Sequence, residues 1–520
     1  MSHPHEPHEL LRLHADDNVA VATRPLSAGQ VVHCGELTLT LAEEVPLGHK
    51  VAVAAIDEGS LVIKYGHPIG IATAAIAPGQ HVHSHNLTAG EHRLDAAASS
   101  AIPPPPEPLA DRTFEGFRRG SGRAGTRNYV AVISTVNCSA SVSKSIVTRF
   151  DRTALARYEN IDGLVAFTHG GGCGMQFGGE VHQTLNRVLG GIARHPNIGA
   201  YLLIGLGCEQ GTMGYLLDDQ RLVQIDGATS AGQRNGRPPV FSLQDCGGTQ
   251  ATLDAGLAQL AELLPRANDV RREPLPLAHL IVGTECGGSD GASGITANPA
   301  LGVAADMVVA AGGTVILGET PEIFGAEQLL TRRARTPVVA QALLDRLAWW
   351  QDYTGRFGVE LDNNPSPGNK EGGLTTIYEK ALGAVAKGGS TALEAVYQYA
   401  EPVTSPGLVV MDTPGYDPVS VTGMVAGGAN VVVFTTGRGS CFGCKPTPSL
   451  KVATNTPMYE RMRDDMDLSA GEILAGRPVA EVGREIFEAI VATASGRPTR
   501  SEQLGLGDEE FVPWQPGPVL

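Results

Sequence analysis

Over residues 10–94 apolar and polar positions alternate in short runs, Val19-Ala-Val-Ala, Leu37-Thr-Leu-Thr-Leu, Lys50-Val-Ala-Val-Ala and Leu61-Val-Ile-Lys-Tyr, separated by turn signals at Pro25, Gly29, Gly48, Gly59 and Gly66. A period of two broken by frequent turns predicts a small, mostly β domain, placed at 10–98. The prolines of Ile102-Pro-Pro-Pro-Pro-Glu-Pro108 are stiff and extended, so 99–112 reads as an interdomain linker. From Thr113 the pattern changes. Apolar runs over 129–136, 164–168, 201–205 and 240–243 are separated by helix-length segments at 141–155, 181–193 and 251–264. Strand and helix signals in alternation predict βα units, and a first α/β domain is placed at 113–270. After the joint Arg271-Arg-Glu-Pro-Leu-Pro276 come further strand-like runs at 280–284, 314–317, 408–411 and 431–435, a second α/β domain over 271–520. The expected fold class is α/β: a small amino-terminal β domain, a proline-rich linker and a large body of parallel βα units in two subdomains.

Chemistry gathers where the apolar runs stop. Cys138, His169 with Cys173, Cys208 with Glu209, Cys246 and Cys286 each follow such a run. In a parallel α/β sheet the ligand crevice lies outside the carboxyl ends of the strands, so these residues are expected to meet at one edge. Cys138, His169, Cys173, Cys208, Glu209 and Cys286 are the candidate metal ligands. The longest such stretch, Glu285-Cys-Gly-Gly-Ser-Asp-Gly-Ala-Ser-Gly-Ile-Thr-Ala-Asn-Pro, adds Ser289 and Asp290 in a glycine-rich turn where backbone can approach a bound ion. In the first domain His14, Asp17, Lys64 and Tyr65, with His81, His83 and His85 on one strand face, crowd polar groups into a small β unit. Arg127, Lys370 and Arg438 sit in turns, suited to holding a carboxylate.

Composition narrows the function classes. A formal net charge of −16 over 520 residues argues against general nucleic-acid binding, though not against an anionic small molecule in a cationic pocket. No apolar stretch reaches membrane-spanning length, and Met1-Ser-His-Pro-His-Glu-Pro-His carries no signal-peptide pattern, so the expectation is a cytoplasmic protein without a membrane partner. Eight cysteines in so long a chain then read as thiols or metal ligands rather than a disulfide scaffold. His3, His5 and His8 read as a solvated terminus.

The motifs beginning at His14, Lys64-Tyr-Gly-His-Pro-Ile-Gly, Gly205-Leu-Gly-Cys-Glu, Glu285-Cys-Gly-Gly-Ser-Asp-Gly, Glu322-Ile-Phe-Gly-Ala-Glu, Asn364-Pro-Ser-Pro-Gly-Asn-Lys and Thr435-Thr-Gly-Arg-Gly together resemble the altronate and galactarate dehydratase family, over essentially the whole chain and in order. The resemblance implies an amino-terminal β-clip domain of the SAF type on an α/β body. It also implies a hydro-lyase that removes water from an aldonate or aldarate, with Fe2+ as cofactor; Mn2+ and an iron–sulfur cluster stay open, and a homo-oligomer is expected. His14, Lys64, Tyr65, His169 and Asp290 are the catalytic candidates; Arg127, Ser289, Asn369, Lys370 and Arg438 are the substrate-binding ones. One departure is Ser440-Cys-Phe-Gly-Cys, a Cys-x-x-Cys where the family pattern has Thr-Pro-Tyr-Gly. The alternatives are a sulfo-lyase acting on sulfolactate and a non-catalytic anion sensor.

Overall fold

The computed structural model describes residues 9–90, 97–223 and 236–516. The three amino-terminal histidines at positions 3, 5 and 8 lie outside them. All four alternating runs of the first domain form strands, at Val19–Ala22, Leu37–Thr40, Lys50–Ala52 and Leu61–Lys64. Leu61–Lys64 pairs antiparallel with His67–Ala72 through the two-residue turn Tyr65-Gly66, with φ of 61° and 73°. A turn with both residues left-handed matches the twist of a hairpin, but Tyr is an unusual choice there, and such backbone tends to mark function. Asp17 Oδ1 accepts the Gly66 N–H at 2.7 Å and holds the turn.

The domain is not a free appendage. Val19, Ala52, Val62, Ile69 and Val82 belong to the same continuous apolar core as Ala300, Leu301, Ala381 and Leu382 of the body. Along the linker, Ser99 and Ala101 donate to Thr331 and Arg332 carbonyls and Leu109 to that of Ala310. The spacer is therefore pinned to the body at both ends.

In the first α/β domain four parallel strands stand in the order Gly163–Phe167, Tyr129–Ser134, Ile198–Gly205, Val240–Ser242. The helix expected over 141–155 is two, Ala140–Arg149 and Arg152–Leu155. Asp151 interrupts it, accepting the Thr153 N–H at 2.8 Å as a new N-cap. Arg272–Pro276, read as a joint, is a strand paired with Thr113–Arg118.

The second α/β domain holds seven parallel strands in the order Leu393–Tyr397, Gly407–Met411, Thr314–Leu317, Ile281–Cys286, Val431–Thr436, Ser449–Ala453, Leu468–Ser469. Ser449–Ala453 escapes a hydropathy reading because it carries Lys451, which is buried and donates to the Phe442 carbonyl at 2.9 Å. Strand order reverses between Ile281–Cys286 and Val431–Thr436, and the crevice at such a reversal is where open α/β sheets take ligands. The two sheets begin at a shared end, where Thr126 Oγ1 donates to the Asn430 carbonyl at 2.6 Å and His195 Nε2 to that of Ala429 at 2.9 Å. Between them pack the helices Glu180–Ala193 and Asp417–Gly427. Gly191 permits the approach, since a Cβ there would lie 2.2 Å from the Ala426 carbonyl oxygen.

Candidate active site at the strand reversal

Cys286 ends the strand Ile281–Cys286, and the turn after it is knitted to the neighbouring strand end: Gly287 N–H donates to Thr435, and Gly437 and Arg438 N–H both donate to Gly288. Gly288, at φ 62°, requires the glycine conformation. Glu319 follows Thr314–Leu317, and Glu322 lies one turn on in the 3-10 helix Thr320–Ile323. These elements bring Cys286 Sγ to 3.4 Å from Glu319 Oε1 and 3.7 Å from Glu322 Oε2, with all three residues buried. Lys387 Nζ stands 2.8 Å from Cys286 Sγ and 2.6 Å from Glu319 Oε2. Lys380 Nζ stands 2.7 Å from Glu322 Oε1 and 2.8 Å from Asn364 Oδ1.

The charges are arranged around that thiol. Burial and the Glu319 carboxylate push the Cys286 pKa well above its usual value, against the pull of Lys387. Burial alone would lower Lys387, but Cys286 and Glu319 keep it firmly protonated. Glu285 is pushed well up by burial and by Glu319 and Asp417, so it sits as a neutral acid whose Oε2 receives the Ser420 hydroxyl at 2.8 Å. Asp417, at the start of its helix, is raised by burial and then by Glu319 and Glu322 to about 7.

The first domain closes the crevice. Lys50 and Lys64, both buried, grip the two oxygens of Glu379 at 2.9 and 2.8 Å. Burial alone would raise that carboxyl, yet the two lysines hold it far below the usual carboxylate range. Burial lowers Lys50 to about 8. Tyr65, beside Lys64, reaches the body: a Cβ on Gly294 would lie 2.6 Å from its hydroxyl. Tyr65, Cys286, Ser289, Asp290, Glu379 and Lys380 line a cavity of about 10 Å³, enough for one water molecule. The Ser289 hydroxyl is buried there with no hydrogen-bond partner among the described residues.

A divalent cation fits among Cys286, Glu319 and Glu322. Among the described residues they form the one group of three such side chains with all ligand atoms within 4.8 Å of one another. One thiolate and two carboxylates suit a borderline metal, and Lys387 stabilises the thiolate that coordination requires.

The expected single edge of thiols is instead two. Cys138, Cys173 and Cys208 are exposed at the carboxyl end of the four-stranded sheet, apart from buried Cys286. His169 is corrected from base or ligand to a brace: Nε2 donates to the Ser134 carbonyl at 3.0 Å and Nδ1 accepts the Gly171 N–H at 3.2 Å, so neither nitrogen is free. Burial lowers its pKa to about 4, against the bond to Ser134. Glu209 is likewise spent on the fold, receiving the Thr135 hydroxyl at 3.1 Å and the Gly207 N–H at 2.6 Å. Arg127 is corrected from clamp to scaffold, since it forks onto Glu502 at 2.6 and 2.8 Å and bonds three carbonyls at the opposite end of the sheets. Asn369 caps its own helix and donates to the Ser289 carbonyl at 2.8 Å, which fixes that hydroxyl's loop. Asp290 receives Ser293, Thr454 and Asn455, organising the same loop. His14 is exposed and packs on Gly66 behind the Tyr65 turn. Lys370 and Arg438 stand at the rim, where Arg438 pairs with Glu371 at 3.2 Å and the Lys370 carbonyl accepts His83 Nε2 at 2.9 Å.

Glu319, Lys380, Lys387, Asp417, Lys50 and Glu379 escaped the sequence. Glu319 carries a readable signal, because Gly318-Glu319 ends an apolar run as Cys286 does; a rule restricted to Cys and His passes over it. Lys380 and Lys387 lie inside helical segments with no local mark.

Three parts of the chain match known families. Residues 8–90 match the altronate/galactarate dehydratase SAF domain, 116–268 the D-galactarate dehydratase/altronate hydrolase second domain, and 277–519 the D-galactarate/altronate dehydratase C-terminal domain. The altronate dehydratase of Escherichia coli K12 is 37% identical over 496 residues, covering 95% of this chain and 97% of that protein. The galactarate dehydratase (L-threo-forming) of the same organism is 37% identical over 524 residues, 98% and 97% of the two chains. The (2R)-sulfolactate sulfo-lyase subunit beta of Chromohalobacter salexigens is 32% identical over 409 residues, 78% of this chain and 97% of that one; its subunit alpha, a separate chain, is 35% identical over 80 residues. With an SAF domain docked on a seven-stranded sheet and relatives matched along nearly its whole length, the chain belongs to the altronate/galactarate dehydratase family.

Proposed function

We propose that the chain is a hydro-lyase that dehydrates an aldonate or aldarate of the altronate or galactarate type to a 2-keto-3-deoxy acid. The observation that carries this reading is the buried set of Cys286, Glu319, Glu322, Lys380 and Lys387 at the strand reversal, capped by Tyr65 of the SAF domain. Elimination removes the proton α to the carboxylate and expels the β-hydroxyl as water, and the enol left behind becomes the keto acid. Fe2+, held by Cys286, Glu319 and Glu322, would supply the positive charge that stabilises the enediolate and the departing hydroxide. Lys380, on the cavity wall, neutralises the substrate carboxylate, and the unpartnered Ser289 hydroxyl hydrogen-bonds the sugar acid. Asp417, packed against Gly287 beside the cluster, is the carboxyl suited to take the α proton and return it to the leaving oxygen.

The Lys50–Glu379–Lys64 anchor sets the lid, and the Tyr65 turn excludes water once substrate is inside. A cavity of about 10 Å³ describes the shut state, so a six-carbon acid enters only with the turn displaced. All eight cysteines are free thiols, in keeping with a reducing cytoplasm. The test is an anaerobic assay of the full chain with Fe2+ against altronate, galactarate and sulfolactate. A 2-keto-3-deoxy acid from altronate or galactarate is expected. Sulfite release from sulfolactate, with both sugar acids untouched, would assign the site to the sulfo-lyase branch.

A further inference from the structure

A second cluster of thiols is left over once the candidate active site is assigned. Cys138, Cys173 and Cys208 follow three adjacent parallel strands, Tyr129–Ser134 in the middle with Gly163–Phe167 and Ile198–Gly205 on either side. Neighbouring strands lie about 4.8 Å apart, so the three loops share one small patch. The loops are tied to one another. Asn137 donates through its backbone N–H to the Gly171 carbonyl at 2.9 Å and through Nδ2 to that of His169 at 3.2 Å. On the other side Thr135 Oγ1 donates to Glu209 Oε1 at 3.1 Å. His169 and Glu209 are buried polar groups whose hydrogen bonds hold these loops.

All three thiols are nonetheless exposed, although free cysteine is among the most buried residue types. Packing therefore does not account for them. Gly172 and Gly174 flank Cys173 at φ of 102° and 75°, and Gly207 precedes Cys208 at φ of 122°, so both thiols sit in glycine turns of positive φ where backbone can come close to a bound group. The helix Ala140–Arg149 starts two residues after Cys138 and adds the positive end of its dipole.

We infer that Cys138, Cys173 and Cys208 hold a [4Fe–4S] cluster through three thiolates. The three sulfurs do not all lie within 4.8 Å of one another, as ligands of a single ion must, whereas a four-iron cube spans a wider tripod. Cys246 is not a fourth ligand. The side chain that its short helix presents to Cys208 is Gln244, with Nε2 at 3.5 Å from Sγ, and helical residues two apart face different ways. The fourth iron, without a thiolate, takes an oxygen ligand from water or a small hydroxy acid. Assembly replaces three thiol protons with three iron–sulfur bonds, and two Fe2+, two Fe3+ and four sulfide ions make the 2+ cube without a further oxidant or reductant.

The inference does not rest on the dehydratase reading, and its test does not use turnover. The full chain is reconstituted anaerobically with equal Fe2+ and Fe3+ plus sulfide, desalted, and assayed for iron, acid-labile sulfide and visible charge-transfer absorption. About four iron and four sulfide per chain are expected, together with the absorption. Cys138→Ser, Cys173→Ser and Cys208→Ser should each lose most of the sulfide and colour, whereas Cys246→Ser and Cys286→Ser keep them. Circular dichroism confirms that each variant is folded, and alkylation by a thiol reagent, blocked by the cluster in the wild type, supplies a second readout for any that is not. Iron bound without sulfide, or colour that survives all three substitutions, overturns the proposal.

Discussion

Asp417 shows how an acidic neighbourhood sets the working range of one side chain. Its carboxyl is half-buried beside Glu319 and Glu322, and desolvation followed by their charge raises it to about 7, far above the ordinary carboxylate range. Asp417→Asn keeps the shape and removes the titration, and the expected outcome is a fall in kcat of about 10²- to 10⁴-fold, the usual contribution of a general acid or base. Stability should move the other way. A carboxyl raised from 3.8 to about 7 costs the folded state more as pH climbs through that window, so above it the Asn variant should melt no lower than the parent. A variant with unchanged kcat, or one that loses activity only by unfolding, removes Asp417 from the chemistry. The contrast with His169 is instructive at the same scale. A strand-end reading reached His169 and not Asp417, yet the histidine's two nitrogens are consumed by backbone and the aspartate's neighbours are acids, facts that no residue type discloses.

At the scale of elements, the paired strands and the turn that carry the histidines lie at the seam between SAF domain and body. His49, His81 and His83 stack with ring centroids 5.1–5.4 Å apart, and His85 lies 5.5 Å from His81. His49 Nδ1 meets His81 Nε2 at 3.0 Å, and His49 and His83 each bond a carbonyl of the body, at Glu371 and Lys370. Burial, with Lys50 and the other histidines adding repulsion, lowers His49 to about 4 and His81 to about 3. These rings are neutral when docked and would protonate near 6.5 when released, so undocking or unfolding takes up protons. The stability they contribute is present above pH 6.5 and is lost as pH falls towards 4. Melting of the full chain should therefore drop between pH 7 and pH 5, and His49→Gln with His81→Gln should flatten that slope. A slope unchanged in the double variant would place the acid sensitivity elsewhere. Alternation placed His81, His83 and His85 on one strand face, but the strand ends at Val82 and the turn that follows brings His83 and His85 beside His81; His49 joins from a separate strand, which only pairing between Lys50–Ala52 and His81–Val82 reveals.

At the scale of the whole molecule, SAF domain and body line one cavity. The domain contributes Lys50, Lys64 and Tyr65, and Glu379 of the body lies buried between the two lysines. Removing one side of such a pair costs about 3–5 kcal/mol, so the body by itself should be unstable as well as inactive. Co-expressing residues 1–98 and 99–520 as separate chains should give a copurifying, active pair, since the two parts meet across the buried Lys50–Glu379–Lys64 contact. Full turnover by 99–520 in isolation would make the domain regulatory. The sequence alone determined the β domain, the proline spacer, the two sets of βα units, and the family, because period-two and βα patterns are local and the motifs are contiguous. It also marked Cys286 and the Ser289 loop, which lie directly after a strand. What it could not determine was which strand ends face one another. Cys138 and Cys286 follow equivalent runs but end in different sheets, and Lys380, Lys387 and Glu379 come from helical segments. Strand order, the point of its reversal and the docking of a distant domain are set by long-range packing, and these alone decided that a buried thiol, two carboxylates and two lysines meet in one cluster.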